Sequence, residues 1–286
     1  MTSETRGQAN RLLGYPEDAR LLIVNADDFG MCNATNEAII HVLREGLVRS
    51  TSLMVPCPWA SHAMRFLLEN PEVSFGVHLT VLSDAVDYYW GPITCHEKVP
   101  SLVNRSGFFY GYERMNEFLD RVDLSQLEVE FRAQIGRVLE VGLKPAHLDW
   151  HTLRINNRDD IYQLMFRLAR EYRLALRVFG QSFISKLQGQ GFPTNDYDFL
   201  DSSSLDPTTK ASRYAALLKT LPPGLSEWAV HPGMDCSELQ ALEPDGNHFR
   251  QTDFDFWVSQ QAKDLIKKEG IILMDYHALQ DAWNAL

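Results

Sequence analysis

The chain has 286 residues, of which 45% are hydrophobic, and this is enough for one large α/β domain or two small ones. Lysine and arginine number 27 against 38 aspartates and glutamates, so the formal net charge is −11. This balance disfavours a nucleic-acid surface, which needs clustered basic side chains. It suits a neutral or cationic small substrate, although solubility alone would explain it equally well.

The cysteines and the N-terminus indicate the cellular compartment. The four cysteines are far apart and form no CxxC pair, which is typical of a reduced protein. The first twenty residues are polar and lack the apolar core of a signal peptide. No apolar run approaches the roughly 20 residues that span a bilayer. We therefore expect a soluble, cytoplasmic protein without a membrane partner.

Strand-like and helix-like segments alternate along the chain. Strands are predicted at 21–27, 48–55, 73–79, 145–151, 174–180, 227–233 and 271–277. Helices are predicted at 35–46, 60–69, 124–142, 159–172 and 252–270. About seven strand-then-helix units favour an α/β fold with a parallel sheet, either a seven- or eight-fold barrel or an open doubly wound sheet.

The domain organisation is simple. We find no internal repeat and no low-complexity linker, so we predict a short N-terminal extension at 1–20 and a single domain at 21–286. Two long regions without a repeating pattern interrupt the alternation, an aromatic one at 80–112 and one at 180–207 that is rich in Gly, Ser and Asp. Loops of this length inside a compact domain are usually functional.

Reactive polar residues lie at the carboxyl ends of four predicted strands. In parallel α/β proteins the active site assembles at that edge of the sheet, so agreement between four separate strands predicts a site there. The residues concerned are Asp27 and Asp28, His78, the group His147, Asp149 and His151, and finally His231.

The spacing within HLDWH separates the roles of its two histidines. On an extended strand His147 and His151 lie ~13 Å apart, whereas ligand atoms sit ~2.1 Å from a metal ion. The two histidines therefore do not share one ion unless the chain turns sharply. His151, at the rim, is the better ligand, while His147 and Asp149 suit positions that orient the ligands from behind.

Two imidazoles and one carboxylate then form a candidate metal site. Asp28, His78 and His151 leave coordination positions open for water and substrate, as hydrolytic metal sites require. A cation also explains why two acids are adjacent, since it offsets their repulsion and leaves Asp27 close enough to act as a base. On ligand chemistry alone Zn²⁺, Mn²⁺ and Co²⁺ all fit.

Simpler interpretations of the same residues compete with this one. Asp27 and Asp28 could be a helix N-cap with a solvated neighbour. His231 precedes Pro-Gly and could order a turn, and His147 could be a buried structural residue. The remaining histidines have no comparable context, and His277 is only a weak candidate.

Five segments together resemble the YdjC-like, or ChbG-type, carbohydrate deacetylase family. They are LLIVNADDFG (21–30), STS (50–52), GVHLT (76–80), KPAHLDWH (144–151) and VHPG (230–233). The resemblance implies a distorted (β/α) barrel that removes N-acetyl groups from sugars or chitooligosaccharide-like chains. It also implies one divalent metal ion, Mg²⁺, with Zn²⁺ or Mn²⁺ as alternatives.

The resemblance assigns roles to individual residues. Asp28, His78 and His151 match the family's metal ligands, and Asp27 matches the acid proposed as general base. His231 matches a histidine near the site that could act as general acid. The expected partner is an N-acetylated sugar, and a homodimer is left open.

The chain departs from the family pattern in three places. It reads Thr152-Leu153-Arg154 where relatives often carry further histidines, and Tyr276-His277 where they commonly have Tyr-Arg. The aromatic insertion at 88–112 is poorly covered. Its Tyr89 and Trp90 are candidates for stacking on a sugar, with packing of the insertion onto the barrel as the competing interpretation.

Other functions use the same residues. A non-catalytic sugar-binding protein would be signalled by a lost ligand, yet all three ligands are present. An Fe(II) oxygenase shares the ligand triad, but such sites usually lie on all-β folds. A metal-dependent phosphoesterase would need ligands for a second ion and basic residues for phosphate, and we find neither cluster.

Overall fold

The computed structural model describes residues 8–154, 158–244 and 247–286. The strands in this part of the chain are β1 Arg20–Phe29, β2 Ser50–Leu53, β3 Ser74–Leu79, β4 Leu82–Ser83, β5 Tyr110–Gly111, β6 His147–Trp150, β7 Ala175–Leu176, β8 Leu200–Asp201, β9 Gly224–Val230 and β10 Ile272–Met274.

Twelve α-helices accompany the strands in the same described residues. They are α1 Gln8–Leu13, α2 Asn33–Arg44, α3 Ala60–Glu69, α4 Met115–Arg121, α5 Leu124–Glu140, α6 Asp159–Tyr172, α7 Gln181–Gly189, α8 Lys210–Lys219, α9 Ser237–Leu242, α10 Asn247–Val258, α11 Gln260–Lys268 and α12 Tyr276–Asn284.

A curled parallel sheet with covering helices confirms the predicted distorted barrel. Its strand order is β7-β6-β3-β2-β1-β9-β8, with β10 also paired to β1, and every pair within it is parallel. The apolar run LLIV at 21–24 is fully buried, as expected for a central parallel strand covered on both faces. The carboxyl ends of β1, β3, β6 and β9 consequently meet at one edge.

Besides shifts of at most three residues at the ends of other elements, three predicted elements differ from the observed ones. The helix predicted at 252–270 is divided at Ser259, whose hydroxyl accepts a hydrogen bond from the backbone N–H of Ala262 and caps α11. The strand predicted at 174–180 stops at Leu176, before the buried Arg177. The last predicted strand ends at Met274, because Asp275 caps the unpredicted helix α12.

The two long regions that interrupt the predicted alternation contain regular secondary structure. The region at 80–112 contains β4 and β5, which pair with each other in a separate small sheet. The region at 180–207 contains α7 and β8. At the N-terminus, the backbone N–H of Ala9 in α1 donates to Asp196. In the described ranges we find no helix that is both long and apolar enough to cross a membrane.

Candidate active site

The adjacent acids of β1 face the same side because the strand is irregular between them. In a regular strand, successive side chains point to opposite faces. The pairing register of β1 and β2 shifts between Ala26 and Phe29, and Asp28 has a left-handed backbone with φ of 70°. Such a conformation costs a non-glycine residue about 1–3 kcal/mol. As a result, Nε2 of His78 lies 3.9 Å from Asp27 Oδ2 and 3.5 Å from Asp28 Oδ1.

Asp28, His78 and His151 come together as a compact ligand cluster. One ligand atom from each of these side chains lies within 4.8 Å of the others. Nδ1 of His151 is 3.0 Å from Asp28 Oδ1, and all three residues are at most 2% exposed. Two imidazoles and one carboxylate in a buried position have the donor chemistry of a divalent metal site.

His151 reaches the cluster because it lies just beyond the end of β6. Its backbone N–H donates to the carbonyl of Leu79 at 3.1 Å, which continues the pairing with β3 by one residue. The next residue, Thr152, has a φ of 51°, so the chain turns away immediately. The side chain of His151 is therefore held at the rim of the sheet.

His147 occupies a different environment four residues earlier. Its Nε2 lies 3.2 Å from Ser52 Oγ, and its ring stacks on Tyr276 with centroids 3.6 Å apart. A Cβ atom at Gly76 would overlap the buried ring of His147, so the neighbouring strand needs glycine there. The two histidines of HLDWH thus contact different partners.

Asp149 orients His78 from behind. Its Oδ1 accepts from Nδ1 of His78 at 2.9 Å, which leaves Nε2 directed at the cluster. Its Oδ2 accepts from Ser52 Oγ at 2.5 Å and lies 3.0 Å from Nη1 of Arg177. Burial raises the pKa of Asp149, but the charges of Arg177 and His78 outweigh it and hold that pKa well below its ordinary value.

Arg177 is a site residue that the sequence analysis missed. Its guanidinium donates to both oxygens of Asp27, at 2.7 and 2.9 Å, and its Nε donates to Glu227 at 2.7 Å. The hydroxyl of Tyr276 also donates to Glu227, at 2.6 Å. An arginine within the apolar run LALRVFG was the available signal, since an isolated buried cation needs partners as much as an isolated acid does.

Two further charged residues contact the cluster. Nη1 of Arg250 lies 2.9 Å from Asp28 Oδ2, and its other nitrogens donate to both oxygens of Glu243. Asp84 Oδ1 lies 3.1 Å from Nε2 of His151. Asp84 could have been noticed because it follows the GVHLT motif closely, whereas Arg250 lies on helix α10, whose sequence carries no signal.

The region around the cluster has an excess of negative charge. Among the residues that the structure describes, two arginines, Arg177 and Arg250, face six carboxylates, namely Asp27, Asp28, Asp84, Asp149, Glu227 and Glu243. Such an excess favours either a bound cation or protonated histidines.

The histidine pKa values reflect this excess. Burial lowers the pKa of His78, but Asp149 and Asp27 outweigh it and raise the value to about 9. For His151, burial is likewise outweighed by Asp84 and Asp28, which raise the pKa to about 10. A divalent cation that replaces these two protons would leave the net charge of the region unchanged.

His231 is held by a hydrogen-bonded chain of side chains. Ser202 Oγ donates to Asp253 Oδ2 at 2.5 Å, so it accepts from Nδ1–H of His231 at 2.9 Å. Asp253 is fully buried, and it also accepts from Tyr214 at 2.8 Å and pairs with Lys210 at 3.0 Å. This chain fixes the proton of His231 on Nδ1 and leaves Nε2 as the other proton-transfer atom.

One cleft connects these groups. It encloses about 920 Å³, and its lining includes Asp27, the three residues of the ligand cluster, and His231. Phe179, Phe199 and Phe249 are among its apolar walls. A largely apolar cleft with a few convergent polar groups is typical of a small-molecule site.

The two aromatic candidates differ in exposure. Tyr89 is 52% exposed, whereas Trp90 is only 2% exposed and donates its indole N–H to the carbonyl of Leu82. Burial leaves the Trp90 ring no open face for a sugar. The weak candidate His277 lies at the start of α12 and donates its backbone N–H to Asp275.

The chain is similar in sequence to known proteins of one family. The sequence model of the family described as YdjC-like protein matches residues 21–268. A carbohydrate deacetylase from Thermoanaerobacter pseudethanolicus is 27% identical over 265 residues, which cover 91% of this chain and 100% of that protein. A carbohydrate deacetylase from Enterococcus faecalis is 30% identical over 266 residues, 90% of this chain and 97% of that one.

Two further matches extend this result. A chitooligosaccharide deacetylase from Yersinia enterocolitica is 32% identical over 160 residues, 56% of this chain and 59% of that protein. A crystal structure of a protein from Enterococcus faecalis superposes with a TM-score of 0.78 at 29% identity, covering 91% of this chain and 99% of that one.

Proposed function

Because the chain belongs to the YdjC-like family, we propose that it is a carbohydrate N-deacetylase that hydrolyses the acetamide of an N-acetylated amino sugar or chitooligosaccharide. The observation that carries this proposal is the buried ligand cluster of Asp28, His78 and His151, which opens into the same cleft as His231. The names of the family relatives support the reaction, and the cleft supports a small-molecule substrate.

A divalent metal ion fits the donor set of the cluster. Asp28, His78 and His151 would hold it, with Asp149 fixing the ring of His78. When bound, such an ion supplies Lewis acidity to the acetyl carbonyl and to the attacking water. The family resemblance implies Mg²⁺, while two imidazole ligands suit Zn²⁺ or Mn²⁺.

Asp27 is the proposed general base. Its carboxylate lies beside the cluster, and two hydrogen bonds from Arg177 and one from Asn25 fix its orientation. In this role an Asp27 oxygen takes the proton of the attacking water. A positioned acid or base typically contributes 10²–10⁴-fold to the rate.

His231 is the proposed general acid. An amine leaves poorly unless it is protonated, so the reaction needs a donor on the leaving-group side. Nδ1–H of His231 donates to Ser202, and the doubly protonated ring would deliver its Nε2 proton to the departing nitrogen. After that transfer the ring is neutral and keeps its Nδ1 proton.

A metal panel tests the proposed function. The purified protein is stripped with a chelator, reloaded separately with Mg²⁺, Mn²⁺, Co²⁺ or Zn²⁺, and incubated with N-acetylglucosamine oligomers while acetate release is measured. We expect metal-dependent acetate release, with a fall of about 10²–10³-fold in His151→Ala, the loss typical when one group that stabilises the transition-state charge is removed.

The half-buried His41 of α2 supplies the control, since its side chain is 40% exposed and lies on a helix away from the strand ends. His41→Ala should retain wild-type activity. Absence of acetate with every metal, from a protein that circular dichroism shows to be folded, would refute the deacetylase.

A further inference from the structure

His151 lies between two carboxylates, one at each nitrogen of its ring. Nδ1 is 3.0 Å from Asp28 Oδ1, and Nε2 is 3.1 Å from Asp84 Oδ1. The side chain is buried, so both nitrogens depend on these partners. An imidazole that ligates a metal ion uses one nitrogen, while the other keeps its proton and donates it. The two carboxylates must therefore have different roles.

The distances around Asp28 identify the nitrogen of His151 that faces the ligand cluster. Asp28 Oδ1 lies 3.0 Å from Nδ1 of His151 and 3.5 Å from Nε2 of His78. One carboxylate oxygen and two ring nitrogens thus lie together, whereas Nε2 of His151 is directed at Asp84. Of the groups of three potential metal ligands in the described ranges, none includes Asp84. Nδ1 is therefore the ligating nitrogen of His151, and Nε2–H is the one donated to Asp84.

His78 has the same arrangement with its two nitrogens exchanged. Its Nδ1 donates to Asp149, and its Nε2 faces the cluster. In His151 it is Nε2 that meets a carboxylate from behind and Nδ1 that faces the cluster. A carboxylate behind a ligating histidine fixes the proton on the distal nitrogen and raises the basicity of the nitrogen that binds. Each histidine of the cluster thus has a carboxylate of its own.

Asp84 is supplied by the insertion at 80–112 and not by the main sheet. It directly follows β4, and the carbonyl of Leu82 in that strand accepts a hydrogen bond from the indole N–H of the buried Trp90. The rings of Trp90 and His151 are also in edge-to-face contact, with centroids 6.0 Å apart. The insertion therefore contacts His151 twice and holds the strand from which Asp84 projects.

We propose that Asp84 is a positioning residue of the metal site, which accepts Nε2–H of His151 so that His151 ligates through Nδ1. The proposal rests on the proposed function in needing a divalent ion at the ligand cluster, and it adds a residue of the insertion to that site. Asp84 acts on the ion through the orientation and the tautomer of the His151 ring.

The metal affinity of Asp84 variants tests this role. Calorimetric titration of the chelator-stripped protein with Zn²⁺ measures the dissociation constant without any substrate. We expect Asp84→Ala, which removes the acceptor, to weaken binding about 10–100-fold, the loss typical for the partner of a ligating histidine. Asp84→Asn keeps an acceptor oxygen without the charge and should restore most of the affinity. No loss in Asp84→Ala, or an equal loss in both variants, would overturn the positioning role.

Asp87 supplies the matched control. It lies in the same insertion with an exposed side chain, and its left-handed φ of 51° is one that Asn tolerates better than most residues. Asp87→Asn removes one negative charge and should bind Zn²⁺ with wild-type affinity. A loss as large as that of Asp84→Ala would contradict the proposal, because the charge of the insertion, and not the hydrogen bond to His151, would then set the affinity.

Nitrogen NMR of the zinc-loaded protein gives a second readout. We expect His151 to be ligated through Nδ1 and to carry its proton on Nε2, and we expect Asp84→Ala to lose this single arrangement. Ligation of His151 through Nε2 would refute the proposal. Because neither measurement needs a substrate, both decide the role of Asp84 whether or not acetate is released, so its failure is distinguishable from failure of the deacetylase.

Discussion

The ligand cluster and the surroundings of His231 both place histidine next to carboxylate, but they balance the charge differently. Around Asp28, six carboxylates face two arginines, and the histidine pKa values rise to about 9 and 10. Around His231, the single fully buried Asp253 is paired with Lys210 and reaches the ring through Ser202. The first arrangement favours a cation, and the second orients an imidazole.

The largest expected effect is that of Asp27→Asn, which distinguishes a role in proton transfer from a role in metal binding. Asp27→Asn keeps the shape of the side chain but removes its basicity, so we expect kcat to fall by 10²–10⁴-fold. The metal content, measured by elemental analysis, should remain at one ion per chain. Substantial residual activity would refute the base, and loss of the ion would make Asp27 a ligand instead.

The pH dependence of metal affinity tests the excess of negative charge around the ligand cluster. The ion must displace protons from His78 and His151, whose pKa values are raised to about 9 and about 10. We therefore expect affinity to rise by up to ~100-fold per pH unit near neutral pH, with about two protons released per ion. Calorimetry in buffers of different ionisation enthalpy measures this number, and release of no protons would contradict the account.

The same protons influence the stability of the metal-free protein. A folded-state pKa above the unfolded value of ~6.5 stabilises the protonated fold. This contribution is complete below about pH 6.5 and is lost as pH rises through about 9 and 10. Chemical denaturation of the metal-free protein should show a falling free energy of unfolding over that range, and a constant value would contradict it.

The smallest expected effect concerns the hydrogen bond between Ser202 and His231. Ser202→Ala removes the acceptor for Nδ1–H, so we expect kcat to fall about tenfold with KM unchanged and the alkaline limb of the pH profile, where a general acid loses its proton, displaced. Ser202→Thr, which keeps the hydroxyl, should restore the rate. Nitrogen NMR of the His231 ring should show the proton on Nδ1 in the wild type and a tautomer mixture in Ser202→Ala. An unchanged pH profile and tautomer would refute the positioning role.

The sequence predicted which strand ends carry the polar residues of the cluster, because that signal is local. Acids and histidines that follow apolar strand runs stand out, and parallel pairing brings strand ends to one edge, so Asp28 and His78 could be expected to meet. The left-handed backbone of Asp28 could not be predicted, because its strain is compensated by contacts that form only in the folded chain.

The arginine partners of Asp27 and Asp28 could not be predicted either, because these contacts also form only in the folded chain. Arg177 and Arg250 contact acids 150 and more than 200 residues away along the chain, and no short-range pattern encodes such pairs. Trp90 looked like a sugar contact because aromatic residues suit both burial and stacking, and only the packing distinguishes the two. Ser259 is a missed local signal, since a serine within a helical pattern can cap a new helix.

Anomalous diffraction from crystals grown with Mn²⁺ or Zn²⁺ tests the central claim most directly. The account predicts one strong peak within ~2.0–2.2 Å of a carboxylate oxygen of Asp28 and a ring nitrogen of each of His78 and His151. A fully loaded crystal with no peak between these three side chains, or with its peak on other residues, would contradict it.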